Sequence, residues 1–240
     1  MNILILGYGK MGKIIARIAG DRGHQIAARI NIDNVSDLET LDTSQIDVAI
    51  EFSQPDAAVP NIKWCMENGV PVVVGTTGWQ EQKEKVAEWC QEKNGSLFYA
   101  SNFSIGVNIF FKVNEFLARL MQDQNGYQAS VEEIHHTEKR DAPSGTAISL
   151  AEGLIQNNNK YKDWKLQDAE AIEAGILPIT SKRIDPAPGT HIVHYASAID
   201  DITIQHTAHS REGFALGAVL VAEWLPGKKG ILTMKDFLDF

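Results

Sequence analysis

Apolar positions recur along this chain in two different rhythms. Up to about residue 100, short apolar runs alternate with stretches of helical spacing. Ile3-Leu4-Ile5-Leu6 is an unbroken apolar run closing at Gly7, which predicts a buried strand. Ile14, Ile15, Ile18 and Ala19 then fall at helical spacing. Gln25 to Ile32, Asp47 to Phe52, Val70 to Val74 and Leu97 to Ala100 predict four further strands. Between them, Pro55 to Glu67 reads as a helix opening at a proline, and Gln80 to Lys93 as a charged amphipathic helix. Strands that alternate with helices predict a parallel sheet covered on both faces, the Rossmann-like doubly wound form of the α/β class.

The rhythm changes after about residue 105. Ile105 to Met121 predicts a longer helix, Tyr127 to Ile134 a strand, and Ser144 to Gln156 a helix. Asn157-Asn158-Asn159-Lys160 is a polar break that reads as a mobile loop. Strand patterns follow at Ile179–Ile184, Thr190–Ala198 and Ile202–His209, with few helices between them. This predicts a second, more antiparallel domain of α+β type. Phe214 to Trp224 is again helical. Ile231 to Phe240 is an apolar tail too short to stand alone, so it should pack back onto the first domain. The expected domains are residues 1–105 with 212–240, and residues 106–211.

Composition narrows the functions. With 44% hydrophobic and 22% charged residues, the chain fits an ordinary soluble globular protein. A net charge of −9 argues against nucleic-acid binding and requires any anionic substrate to meet a local positive patch. Cys65 and Cys90 lie in no pairing motif and fit reduced thiols. The first residues lack the basic start and cleavage site of a signal peptide, and no apolar run reaches the length of a membrane span. The expectation is a cytoplasmic protein.

Gly7-Tyr8-Gly9-Lys10-Met11-Gly12 has the Gly-x-Gly-x-x-Gly spacing between a strand and a helix. The first glycine permits the tight turn, the second lets a pyrophosphate approach the backbone, and the third allows close helix packing. An acid about 20 residues on would hold the ribose of NAD. Asp33 has that separation, but Asn31 stands at the strand tip, and an amide repels a 2′-phosphate less than a carboxylate does. Lys10 and Arg29 could meet such a phosphate, so NADH and NADPH both stay open. Gly75-Thr76-Thr77-Gly78 and Ala100-Ser101-Asn102-Phe103 follow the fourth and fifth strands, where loops line the ligand crevice of an open α/β sheet.

The densest chemistry lies in Glu133-Ile134-His135-His136-Thr137-Glu138-Lys139-Arg140-Asp141-Ala142-Pro143-Ser144-Gly145-Thr146-Ala147. Histidine titrates near neutral pH, and lysine supplies a positive charge with three donors. Strand alternation would turn His135 and His136 to opposite faces. Asp141 could cap the next helix, and Pro143 suits its first turn. The N–H groups of Gly145 and Thr146, with the Thr146 hydroxyl, would make a carboxylate cradle. His191-x-x-His194 and His206-x-x-His209 fall in strands, where residues three apart face opposite sides, so no local metal pair is expected. Ser144 lacks the Gly-x-Ser-x-Gly setting of a nucleophile.

Together, Glu133-Ile134-His135-His136, Lys139 and Asp141 to Ala147 resemble the signature of the dihydrodipicolinate reductase (4-hydroxy-tetrahydrodipicolinate reductase) family. Supporting segments are Gly75 to Gly78, Ser101-Asn102-Phe103-Ser104 with Gly106-Val107-Asn108, His206-Thr207-Ala208 with Arg211, and Phe214-Ala215 with Gly217-Ala218. The resemblance covers essentially the whole chain. It implies an N-terminal NAD(P)H-binding domain and a C-terminal domain with an open mixed sheet that holds substrate and builds a homotetramer. It implies that His135 is the general acid and Lys139 its cationic partner. His136, Gly145 and Thr146 would contact a small cyclic dicarboxylate in the diaminopimelate and lysine pathway. Asn31, where many members place an acid, and the compact 157–165 region depart from the pattern. Two other classes fit the first domain. A dehydrogenase of an acyclic amino or semialdehyde acid has no need of the 133–147 segment, and a nucleotide sensor leaves His135 and Lys139 without purpose.

Overall fold

The computed structural model describes residues 1–167 and 173–240. In chain order the elements are β1 (Asn2–Leu6), α1 (Lys10–Asp21), β2 (Gln25–Ile30), β3 (Val48–Glu51), α2 (Pro55–Glu67), β4 (Val72–Val74), α3 (Lys83–Glu92), β5 (Ser96–Tyr99) and α4 (Ile105–Met121). There follow β6 (Gln128–His135), α5 (Gly145–Asn157), β7 (Asp163–Leu166), β8 (Ile176–Arg183), β9 (Gly189–Ala196), β10 (Asp201–Ala208), α6 (Glu212–Trp224), β11 (Gly230–Leu232) and α7 (Met234–Leu238). They form two units, Met1–Ile105 with Glu212–Phe240, and Gly106–Arg211.

The first unit is a six-stranded sheet in the order β11-β5-β4-β3-β1-β2, with every pairing parallel. The run Ile3 to Leu6 is apolar throughout because the sheet is covered on both sides. Ile3 and Ile5 join one core with α1, α6 and α7, while Leu4 and Leu6 join the other with α2 and α3. Each of the four is wholly buried, which stabilises by about 1.5–3 kcal/mol per side chain. The strand order reverses beside β1, between β2 and β3, so the loops after β1 and β3 border the ligand crevice of a doubly wound sheet.

Two expectations in this unit need correction, and a third gains detail. The second strand stops at Ile30, not Ile32. Asn34 Oδ1 accepts the Asn31 N–H, and residues Ile32–Glu39 turn into a 3-10 segment, leaving Ile32 exposed. The helix read from Gln80 begins as a 3-10 turn and becomes α-helical only at Lys83. The apolar tail packs back on this unit as expected, but it does so by adding β11 to β5 as a sixth strand and burying Met234.

The second unit is a five-stranded mixed sheet, β10-β9-β6-β8-β7. β9 pairs antiparallel with β6 and β10, and β8 pairs parallel with β6 and β7. One face packs against α4 and α5 through Ala129, Val131, Leu177, Ile179, Val193 and Tyr195. The opposite face, including Ser130, Glu132, Ile134, Ile192 and His194, is only half-buried. The edge strand β7 is not among the expected strands, its polar–apolar alternation being only four residues long. The polar break at 157–160 is pinned rather than loose: Asn158 is buried, and its Nδ2 donates to the Ala118 carbonyl.

Candidate active site

Strand β6 alternates strictly, with Ala129, Val131, Glu133 and His135 buried and their neighbours half-buried or exposed. The helix-covered face is therefore apolar along most of β6 and ionisable at its carboxyl end. The neighbouring strands do the same in register. Glu133 stands opposite Ser181 on β8 and His191 on β9, and His135 stands opposite Arg183.

Glu133 is the hub of this cluster and is wholly buried. Its Oε1 accepts the Ser144 N–H at 3.0 Å, the Ser181 hydroxyl at 2.5 Å and an Arg183 N–H at 3.4 Å. Its Oε2 lies 3.2 Å from His135 Nδ1 and 3.8 Å from His191 Nε2. Burial pushes this carboxyl up, but His135, Ser144 and Ser181 beside it outweigh that and hold the group well below the usual carboxylate range. Burial, with the charge of His135 beside it, pushes His191 down to about 4, so that ring is neutral at pH 7.

Glu133, His135 and His191 each offer a ligand atom within 4.8 Å of the others. Arg183 already supplies a positive charge to that carboxylate, and Ser144 Oγ lies 3.2 Å from His191 Nε2. Glu133 Oε1 and His191 Nε2 thus have hydrogen-bond partners, while Glu133 Oε2 and His135 Nδ1 have none.

Beyond β6 the chain turns through His136, which is half-buried. Asp185 fixes that turn by accepting the Thr137 N–H at 3.0 Å and its hydroxyl at 2.6 Å. Lys139 Nζ donates to both oxygens of Asp141, at 2.9 and 2.8 Å. Asp141 therefore does not cap α5. Ser144 does, its Oγ accepting the Ala147 N–H, and Pro143 lies one residue before the cap. Arg183 bonds the carbonyls of Lys139 and Asp141, tying this loop to the end of β8. Gly145 and Thr146 occupy the first two positions of α5, whose N–H groups have no intrahelical acceptor. A Cβ at Gly145 would meet nothing within 4 Å, so this helix start is open to an anion.

The first unit carries a separate constellation. A Cβ at Gly7 would lie 2.1 Å from the Phe52 carbonyl oxygen, and one at Gly12 would lie 2.1 Å from that of Gly7. A Cβ at Gly9 would meet nothing. Gly7 and Gly12 are thus needed for chain packing, whereas Gly9 fronts open space. Gly9 also caps α1 without a side-chain acceptor, so the first N–H groups of α1, with Lys10 and Met11, stay available to a phosphate. This is the cradle a dinucleotide pyrophosphate needs. Arg29 stacks over the Tyr8 ring at 5.6 Å. Asn31 is exposed at the end of β2. Gly75 packs on the Phe52 ring, and Thr76 Oγ1 accepts the Ser53 N–H at 2.8 Å. Ala100 and Phe103 are core residues, so the Phe103 side chain belongs to packing, while Asn102 Oδ1 accepts the Ser104 N–H at 2.9 Å. Thr77 and Ser101 are exposed.

Residues 1–103 match the family described as dihydrodipicolinate reductase, N-terminus, and residues 106–238 match its C-terminus. The chain belongs to the dihydrodipicolinate reductase family. A relative from Christiangramia forsetii, named 4-hydroxy-tetrahydrodipicolinate reductase, is 49% identical over 100% of this chain and 98% of its own. One of the same name from Archaeoglobus fulgidus is 33% identical over 100% of both. Dipicolinate-bound dihydrodipicolinate reductase from Paenisporosarcina sp. TG-14 aligns with a TM-score of 0.81 over 99% of each chain at 21% identity, which shows the shared fold. An amine dehydrogenase from Mycobacterium smegmatis aligns with a TM-score of 0.58 at 11% identity, over 97% of this chain and 94% of its own. This dihydrodipicolinate reductase family member is therefore an oxidoreductase, with a Rossmann-like unit that implies a nicotinamide cofactor. No helix among its described residues is long and apolar enough to cross a membrane.

The sequence patterns alone give Glu133, His191, Ser181 and Arg183 no role at the site. Two-residue spacing marks Glu133 as sharing the face of His135. The other three become visible only once strand register is known.

Proposed function

We propose that this reductase uses NADH or NADPH to convert 4-hydroxy-tetrahydrodipicolinate (dihydrodipicolinate) to tetrahydrodipicolinate, a step of diaminopimelate and lysine biosynthesis. The whole-length relatives of that name support the reaction. The observation that carries it to particular residues is the 133–147 stretch: a buried histidine on a charged carboxylate, a lysine and an open helix start.

The conversion removes the 4-hydroxyl as water and adds one hydride and one proton. The reduced nicotinamide, when bound, supplies the hydride. His135 delivers the proton to the electron-rich ring carbon that hydride addition leaves, acting as general acid. Lys139, His136, the Gly145 and Thr146 N–H groups and the Thr146 hydroxyl hold the substrate carboxylates. Lys139 exchanges Asp141 for substrate, since an ammonium with three donors can serve either. The cofactor-binding loops are Gly7 to Gly12, Gly75 to Thr77 and Ala100 to Phe103, with Asn31 at the adenosine ribose. Arg29 and Lys10 offer positive charge to a 2′-phosphate.

On this reading the first unit binds the dinucleotide, and the second binds substrate and assembles a homotetramer. Exposed Ile109, Val113, Phe116 and Leu120 along α4, and the half-buried sheet face, support assembly through the second unit. We place the enzyme in the cytoplasm, where the buried free thiols of Cys65 and Cys90 stay reduced.

The test is loss of NADH or NADPH absorbance on adding freshly made cyclic substrate. The expected result is turnover with that substrate and none with acyclic amino or semialdehyde acids. Absence of turnover with the cyclic substrate, with either dinucleotide, overturns the reading. The ratio of the two rates gives the cofactor preference.

A further inference from the structure

We propose that Glu133 is a positioning residue that holds His135 with its proton-bearing Nδ1 against the carboxylate, so that Nε2 is the nitrogen that delivers the proton. The proposal rests on His135 being the general acid.

The two oxygens of Glu133 have divided roles. Oε1 is saturated by three donors, from Ser144, Ser181 and Arg183. Oε2 is buried and has no hydrogen-bond partner, and neither has His135 Nδ1, which lies 3.2 Å from it. A buried carboxylate oxygen without a donor is costly. His191 does not meet that need. Its Nε2 is 3.8 Å from Oε2 but 3.2 Å from Ser144 Oγ. Ser144 Oγ already accepts the Ala147 N–H, so its own proton is free to go to the His191 lone pair. The remaining donor is His135 Nδ1–H. In the other tautomer the Nδ1 lone pair would face a carboxylate oxygen at 3.2 Å, and both would be desolvated.

The opposite edge of the ring is kept clear. A Cβ at position 189 would lie 3.1 Å from His135 Nε2, so Gly189 leaves that nitrogen uncovered by a side chain. In the cycle the Nε2–H bond breaks, its electrons stay on the ring, and the proton goes to substrate carbon. The ring is left as the neutral Nδ1–H form that Glu133 accepts. Reloading takes one proton from water.

The first test is made on the native protein. Nitrogen-15 NMR of histidine-labelled enzyme, read where His135 is neutral, should show the Nδ1–H tautomer, the minor form of free histidine. An Nε2–H tautomer in an enzyme that turns over the cyclic substrate overturns this proposal and leaves the function standing. An enzyme without turnover overturns the function itself. The second test is Glu133→Gln, which keeps an acceptor but removes the charge. A charge-assisted hydrogen bond is roughly twice as strong as a neutral one, so kcat should fall by about tenfold or more while KM changes little. The solvent deuterium isotope effect on kcat should rise. A purely structural Glu133 would move kcat and KM together and leave the isotope effect unchanged. If the variant does not fold, the tautomer measurement decides alone.

Discussion

Acidification should destabilise the second unit through His191. This ring is buried under α5 and neutral, with its pKa pushed from 6.5 down to about 4. A base with a lowered folded-state pKa binds its proton more readily when unfolded, so stability rises with pH between the two values. The contribution is intact above about pH 6.5 and declines as pH falls. Once pH is below both values the loss amounts to ~3 kcal/mol, at about 1.4 kcal/mol per tenfold change in proton affinity. That is a large share of the 5–15 kcal/mol typical of a folded domain. The assay is urea unfolding of the wild type and of His191→Gln at intervals from pH 7.5 to pH 4. The variant keeps a group able to accept from Ser144, but does not titrate. The gap between the two stability curves should change by ~3 kcal/mol across that window, with the wild type losing ground in acid. Parallel curves would refute the reasoning, because they would mean the ring is not held neutral by burial.

Other substitutions separate chemistry from packing. His135→Gln should lower kcat by about 10²–10⁴ with a smaller effect on KM; unchanged turnover in steady-state kinetics would remove its role as acid. Lys139→Ala should raise KM and lower kcat together, since a charged hydrogen bond is worth about 1.5–3 kcal/mol, and unaltered KM would contradict the carboxylate contact. Gly12→Ala sets a methyl 2.1 Å from the Gly7 carbonyl oxygen, which should weaken NADH or NADPH binding in a fluorescence titration and lower thermal stability. Glu51 is wholly buried at the end of β3, and burial pushes its carboxyl up despite bonds from Ser53, Thr76 and Asn61. A raised acid is destabilising once ionised, so Glu51→Gln should gain in Tm over the wild type as pH rises through and above the carboxylate range. A Tm difference independent of pH would show that Glu51 does not titrate there.

The first unit was legible because two signals agree in it. Apolar runs such as Ile3 to Leu6 require burial on both faces, and the glycine spacing requires a strand, a turn and a helix in that order. The misreadings came where local polar chemistry overrode hydrophobic pattern. Ile32 looks like the end of a strand, yet Asn34 takes the Asn31 N–H and turns the chain. Gly230-Ile231-Leu232 is too short to register as a strand, and only an available edge at β5 makes it one. β7 is similar: the alternation of Asp163 to Leu166 runs for only four residues, and β8 provides the edge they pair with.

The site was legible in its sequential part and hidden in its spatial part. His135, Lys139 and the helix start at Gly145 sit within one short segment, so the list of residues already implies proximity. What that list cannot convey is how a protonatable ring comes to lie buried beside a charged carboxylate. The answer is in the register. Ala129 and Val131 bury the face of β6 against α5, and the same alternation carries Glu133 and His135 into the interior behind them. Burying that carboxylate alone would be prohibitive. It is tolerable because β8 brings Ser181 and Arg183, and the cap of α5 brings Ser144, to the same point. Ser144 has a structural part that reaches this network. One residue ends the loop, caps α5, and donates its own N–H to the Glu133 carboxylate beside His135. Replacing Ser144 with alanine keeps that backbone donor and removes only the hydroxyl, so it should loosen α5 by about 0.5–2 kcal/mol. His191 would then lose its hydroxyl partner. If Glu133 rather than the cap governs proton delivery, kcat of Ser144→Ala should fall far less than that of Glu133→Gln, although both substitutions touch the same network. Equal losses in kcat would place the control at the helix start instead.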